Sequence, residues 1–473
     1  MKGILGNLAN LLTRHEIRVA VCGMQNSGKT VFLTSLADHL LHHDPHGNRS
    51  DDRRFDLGGY VVGDDADVVD VHSSGDAFGN FEFRRFRNDF AKNKWPEKTG
   101  LTTELVIDFT LRNKDSHLVP VGRWSANREI RLRFLDIPGE RLADFLMDGR
   151  DFAEWSDALL GNGKRGRRHL DDYRDAADAL AAGTDDVTAE SALLDGYRKA
   201  LDGALKVFDR FVTPSVYRVP LDGEKVSPRL LGLAGGEFAP MPASARKRLP
   251  ALARRFARRY EAYRKAIVAP VIDWMKTADK ALFLLDVFAC INGGAQAYNG
   301  SRAETEAALD VFASGGARRD LTEAAGYLVR RFELPMQARN VRIVVTKMDM
   351  ADKQGRENLL ALAREMFGKK VEAVTGFRSP DSAILPCAAV ATDRTSSTGS
   401  GLEKKSVHTG IPRERSDARP GDGIPWSVPE NLDDWKGRFP LKDLNPAWFN
   451  LRDDLPPKHA GLDAVARFIL DIK

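Results

Sequence analysis

The stretch Gly23-Met24-Gln25-Asn26-Ser27-Gly28-Lys29-Thr30 decides the fold. It fits G-x-x-x-x-G-K-[ST], the phosphate-binding loop of nucleoside triphosphatases. Ile17-Arg18-Val19-Ala20-Val21-Cys22 precedes it with strand-like alternation, and Val31-Phe32-Leu33-Thr34-Ser35-Leu36-Ala37 follows at helical spacing. Strand, Gly-rich turn and helix are the context this motif needs. Glycines let the backbone wrap an anion, so successive amides point at phosphate oxygens. The helix N-terminus adds about half a positive charge. Lys29 reaches the β- and γ-phosphates, and Thr30 has a hydroxyl for Mg²⁺. Asn26, Ser27, Gly28, Lys29, Thr30 and Val31 are therefore candidate nucleotide contacts. By average composition, chance matches in a chain of this length number on the order of 0.02.

The chain has 473 residues, 42% of them hydrophobic and 29% charged, with a net charge of +4. Those values describe an ordinary globular protein of two or three domains, or of one domain with large insertions. The charge is too small to argue for nucleic-acid binding. Cys22, Cys290 and Cys387 lie far apart in apolar runs, as buried thiols of a reducing compartment do. No apolar run reaches the length of a membrane span, and Asn7 and Asn10 interrupt any secretory signal. Ile4, Leu5, Leu8, Leu11 and Leu12 predict an amphipathic helix over 1–16, either docked on the body or lying on a membrane or partner.

Downstream, Asp136-Ile137-Pro138-Gly139 ends an alternating run. An acidic strand end followed by Gly fits Mg²⁺ held through water by Asp136 and a Gly139 amide that reports on the γ-phosphate. Thr346-Lys347-Met348-Asp349 closes an apolar run and fits the guanine-recognition pattern [N/T]-K-x-D. The Asp349 carboxylate can accept from guanine N1–H and its 2-amino group together. Adenine offers neither donor and would leave the acid unpaired, a discrimination of roughly 10⁴. Cys387-Ala388-Ala389 follows the next strand and occupies the place of a small turn whose amide meets guanine O6. A threonine before the Glu104–Leu111 run should meet Mg²⁺ and the γ-phosphate, and Thr99, Thr102 and Thr103 all qualify.

Strand–helix alternation predicts an α/β fold of the P-loop, G-domain-like kind, with a mostly parallel sheet. The first part spans 17–149 and the second 280–392. A helical insertion covers 150–279, an irregular insertion 393–457, and a closing helix 458–473. Three stretches carry two readings each. His39, His42, His43 and His46 read as loop histidines or a metal cluster. Phe81, Phe83, Arg84, Arg85, Phe86, Arg87 and Phe90 read as a helix face on the core or a stacking surface for single-stranded nucleic acid. Arg254, Arg255, Arg258, Arg259, Arg264 and Lys265 read as a solvated helix face or a dock for acidic partners or lipid.

The order Trp95-Pro96…Thr99, Asp136-Ile137-Pro138-Gly139-Glu140, Leu285-Asp286…Gln296-Ala297-Tyr298-Asn299 and Thr346-Lys347-Met348-Asp349 resembles the bacterial YcjX family. The resemblance spans nearly the whole chain. It implies a stress-associated GTP-binding switch protein of the bacterial cytoplasm, using GTP/GDP and Mg²⁺, with its protein effector left open and either a cytoplasmic place or one at the inner-membrane surface beside envelope-stress proteins. It favours Thr99 as the switch threonine. Lys29, Thr99, Gly139 and Glu140 are then the candidate catalytic residues, and Thr30, Asp136 and Thr99 the candidate metal ligands. Glu140 stands where many GTPases carry a water-orienting Gln. Slow hydrolysis is expected, with a positive group missing that Arg85, Arg87 or a partner arginine would supply. The competing functions are a P-loop ATPase or kinase, and a nucleotide-gated scaffold with negligible hydrolysis.

Overall fold

The computed structural model describes residues 15–44, 54–63, 69–72, 78–92, 94–96, 101–113, 127–161, 168–180, 184–206, 213–217, 237–323, 340–351, 353–375, 383–391, 394–398, 405–409, 411–412, 427–428, 431–436, 444–445 and 455–472. Of the helix expected over 1–16, residues 1–14 lie outside the described residues, as do His46 and Thr99, while His15 and Glu16 are strand and not helix. Two compact units divide the chain. The first comprises Met1–Pro138, Ala278–Gly294 and Gly326–Lys473; the second comprises Gly139–Thr277 and Ala295–Ala325.

The first unit is built on one sheet. Its strands are β1 (His15–Gly23), β2 (Tyr60–Val62), β3 (Asp70–His72), β4 (Gly79–Asn80), β5 (Thr103–Asn113), β6 (Asn127–Asp136), β7 (Lys280–Leu285), β8 (Val341–Val345) and β9 (Ile384–Pro386). The order is β2-β5-β6-β1-β7-β8-β9, with β3 and β4 also on β5. From β6 through β9 all neighbours run parallel, whereas β5 is antiparallel to β6 and β2. The interior position of β7 explains its unbroken apolar run: all six residues are buried. Crossovers turn one way from β1 to β6 and the other way to β7, so β1 lies at the point where strand order reverses.

The helix Lys29–Leu41 follows β1 and buries Phe32, Leu33, Leu36 and Leu40. Leu462, Val465 and Ile469 of the helix Leu462–Ile469 join the same core. The aromatic-basic stretch forms the helix Phe83–Ala91, with Phe83, Phe86 and Phe90 buried, as a core-packing face requires. The histidines are absorbed locally: His39 Nε2 lies 2.8 Å from Pro457 O, and His42 Nδ1 2.9 Å from Asp38. Among the described residues no group of His, Cys, Asp or Glu has the makings of a metal site. Nor is any helix long and apolar enough to cross a membrane. All three cysteines are buried and free.

Three details emerge only in the structure. β9 is only three residues long, because beyond Cys387, whose amide still donates to Val345 O of β8, Ala388 pairs with Ala460 instead. After β7, Asp286 caps the helix Val287–Asn292, and the helix Gly294–Glu323 follows. The irregular insertion contains two small antiparallel pairs, β10 (Arg394–Thr398) with β11 (Lys405–Thr409), and β12 (Ile411–Pro412) with β13 (Leu444–Asn445).

The second unit is helical. Its core is aromatic: Trp155, Phe238, Tyr260 and Tyr263 meet with centroids 5.3–5.8 Å apart. The helix Pro250–Tyr263 starts with proline in its first turn and continues through a π-helical turn, Arg264–Val268. Much of its basic face is neutralised. Arg255 pairs with Asp186 and Glu190, Arg259 with Glu190, and Arg264 and Lys265 with Glu261. The Gly139–Met147 segment forms a 3₁₀ helix whose Asp144 is fully enclosed. That carboxylate accepts from Thr213 Oγ1 at 3.0 Å, Ser215 N at 2.8 Å, Ser215 Oγ at 2.6 Å and Tyr263 Oη at 2.7 Å. Arg141 Nη1 donates to Ser215 Oγ and Tyr263 Oη at 2.9 and 3.1 Å.

Candidate functional site

Within the first unit, the carboxyl ends of five parallel strands carry the sequence motifs. β1 ends in Gly23, β6 in Asp136, and β7 just before Asp286. β8 ends before Thr346, and β9 before Cys387. In open α/β sheets this edge, at the reversal of strand order, is where ligands bind.

The loop after β1 has the conformation an anion cradle needs. Asn26 (φ 64°) and Gly28 (φ 90°) are left-handed, and Gly28 serves as the N-cap. Gly28 has no side chain with which to cap the amides of the first helical turn, which point to where an anion would sit. A Cβ on Gly23 would come within 2.6 Å of Leu284 O, so the loop packs against β7 too closely for any other residue. Lys29 is buried, and its ammonium donates to Gly23 O at 2.7 Å and Met24 O at 3.1 Å. Ser27 Oγ is buried and has no hydrogen-bond partner among the described residues. Burial pushes the neighbouring Cys22 thiol up to about 12; Lys29 opposes that shift and Asp136 adds to it.

Asp136 is buried at the end of β6, in register with Val21 of β1 and with Thr103 of β5. The Thr103 hydroxyl is also buried and lacks a hydrogen-bond partner among the described residues. Thr102 is buried beside it, and its carbonyl accepts from Gly79 N at 3.0 Å. Gly139 and Glu140 belong to the second unit, where both are buried at the start of the 3₁₀ segment.

The remaining motifs are hydrogen-bonded to one another. Thr346 donates from N and Oγ1 to Leu285 O at 2.9 and 3.3 Å. Lys347 is left-handed (φ 59°) and opens the 3₁₀ turn Met348–Met350, which holds buried Asp349. Met348 N donates to Cys387 O at 3.4 Å, joining the third motif to the fourth. Ser35 Oγ donates to Ala389 O at 2.5 Å, which ties the fourth motif back to the phosphate-loop helix. The amides of Cys387 and Ala388 are committed to Val345 O and Ala460 O, both at 2.8 Å. The Ala389 amide is left without a backbone partner among the described residues. Of the arginines considered, Arg85 pairs with Glu82, and Arg87 binds Asp38 on the phosphate-loop helix at 2.6 Å. Two contributors went unread in the sequence: Ser35, and Asp286, whose carboxylate lies 2.7 Å from Lys347 Nζ. Only the register of β7 against β8 reveals the latter.

A family model described as the YcjX-like family, DUF463, matches residues 17–473. The chain belongs to the YcjX-like family. The protein called Ras-like GTPase YcjX from Shewanella oneidensis is 22% identical over 471 residues, covering 95% of this chain and 90% of that one. The protein of the same name from Escherichia coli K12 is 28% identical over 175 residues, 35% of either chain. The motifs of this YcjX-like chain lie on one sheet edge although the largest gap between them exceeds the length of many domains.

Proposed function

We propose that this protein binds guanine nucleotide at the carboxyl edge of its sheet, hydrolyses GTP slowly, and acts as a Mg²⁺-dependent switch. One observation carries the reading. Lys29, Asp136 and the Thr346–Asp349 turn lie at or follow the carboxyl ends of β1, β6 and β8, three strands of the parallel run β6-β1-β7-β8, beside a left-handed, glycine-capped loop. The names of the two relatives support the same chemistry.

Each residue then has a task. The amides after Gly28 hold phosphate oxygens, and Lys29 leaves its carbonyls to meet the terminal phosphates. Asp349 accepts from the guanine edge, and the Ala389 amide is the donor available to guanine O6. Thr30 and Asp136 are the groups for Mg²⁺, which when bound neutralises phosphate charge. The unpartnered Thr103 hydroxyl across from Asp136 fits a polar ligand at that place. Gly139 and Glu140 follow directly in the chain, so a signal from Asp136 passes to the second unit along its backbone. Slow hydrolysis follows from Glu140 in the water-orienting position and from the engagement of Arg85, Arg87 and Arg141 in ion pairs and hydrogen bonds.

Titration with fluorescent GDP in Mg²⁺ tests the reading, with ATP and GTP as competitors. GTP should compete and ATP should not. Lys29→Ala should weaken binding by at least about 10²-fold, the scale of a lost charge-assisted contact. Equal competition by ATP would favour an ATPase or kinase. Unaided turnover faster than about 1 s⁻¹, a rate in the activator-assisted range, would refute slow hydrolysis. Binding without any turnover would leave the nucleotide-gated scaffold, for which liposome flotation checks a membrane partner.

A further inference from the structure

Asp286 has no place in the phosphate or base contacts above, yet both of its carboxylate oxygens are engaged. It is buried at the end of β7. Its Oδ1 accepts from Ala289 N at 3.0 Å and so caps the helix Val287–Asn292. Its Oδ2 lies 2.7 Å from Lys347 Nζ. Lys347 is therefore held at both ends. Its backbone is fixed by Thr346, bonded twice to Leu285 O, and by its own left-handed conformation. Its ammonium is fixed by a carboxylate that a helix cap prevents from rotating. The four-carbon stem is thus stretched from the end of β8 across to the end of β7, with the side chain still about a third exposed.

A free lysine has many rotamers and must lose them when a ligand packs on its stem. Here that ordering is present before any ligand arrives. We propose that Asp286 is a positioning residue that holds the Lys347 stem as a preformed apolar wall for the purine ring. The inference rests on the guanine reading and names a determinant of base affinity outside its motifs. Asp286 touches neither phosphate nor base. Its effect belongs to nucleoside-containing ligands and runs through Lys347 alone.

Asp286→Asn separates the two jobs, because the amide oxygen keeps the helix cap while the charge facing Lys347 is lost. Calorimetric titration of the full chain with GDP and, separately, with pyrophosphate reads the result. GDP affinity should fall between about twofold and tenfold, the cost of immobilising one long side chain. Pyrophosphate affinity and melting temperature should not change. In a Lys347→Met background, which keeps the stem and removes the charge, Asp286→Asn should have no further effect on GDP. An unchanged GDP affinity in Asp286→Asn overturns the clamp. So does an equal loss for pyrophosphate, or an equal loss in the Lys347→Met background. If the wild-type chain binds pyrophosphate but not GDP, the guanine reading itself fails and takes the clamp with it.

Discussion

Asp144→Ala should loosen the second unit more than any other single truncation of a polar side chain there. The carboxylate takes four hydrogen bonds, and three of the donors are hydroxyls that can turn to each other; Ser215 Oγ and Tyr263 Oη are already 3.1 Å apart. The Ser215 amide cannot turn, and stranding it costs about 1–3 kcal/mol. The enclosed Arg141 guanidinium also loses the negative charge it faces, a change worth about 3–5 kcal/mol when one member of a buried charged set is removed. Part of each loss is recovered by relaxation, so about 4 kcal/mol is the working figure. Hydrogen–deuterium exchange measures it locally: amides in 213–217 and around 263 should exchange about 10³-fold faster. Unchanged exchange in both segments would refute the argument that this cluster fastens the 3₁₀ segment to the long helix. A pH series adds a sign. Burial raises the Asp144 carboxyl above its ordinary value, against the pull of Arg141 and the hydrogen bonds. Its contribution is therefore greatest below the ordinary carboxyl range and declines as pH rises towards the raised value. Asp144→Asn has no such titration, so its deficit relative to wild type should shrink with rising pH through that window.

Three further outcomes follow. Asp349→Asn replaces an acceptor pair with an amide that can donate to a 2-oxo group; GDP affinity should fall at least about tenfold while xanthosine diphosphate gains, read by competition against fluorescent nucleotide. Thr103→Val removes a buried hydroxyl that has no protein partner among the described residues, so the melting temperature should hold or rise, while the Mg²⁺ dependence of GTP affinity should weaken. Gly461→Ala should destabilise the first unit by about 2 kcal/mol or more in thermal unfolding, since φ is 75° and a Cβ would meet Pro386 O at 2.3 Å.

The candidate site was legible where its chemistry is local. Gly23–Thr30, Asp136–Gly139 and Thr346–Asp349 are short, and each follows an apolar or alternating run whose period announces a strand. Contacts set by register were not legible. Nothing in sequence links Asp286 to Lys347, Ser35 to Ala389, or Arg87 to Asp38. The pairing of the basic helix was hidden for the same reason, because Asp186 and Glu190, which neutralise Arg255 and Arg259, come from another helix far upstream. The switch threonine stays a matter of sequence and resemblance at Thr99, while geometry draws notice to Thr103.

The pairing of β1 with β7 sets a timetable for synthesis. Arg18 N donates to the Asp279 carboxylate across 261 residues of sequence. A ribosome adding about 5–20 residues per second leaves the β7-facing edge of β1 waiting roughly ten to fifty seconds. The helical residues of Gly139–Thr277 emerge in that interval and can collapse through short-range contacts first. Until β7 arrives, the nascent chain presents an apolar strand with unmet backbone groups, the kind of edge that holding chaperones cover. Any defect that slows folding of the middle segment therefore prolongs the hazard for the nucleotide cradle at the other end of that wait.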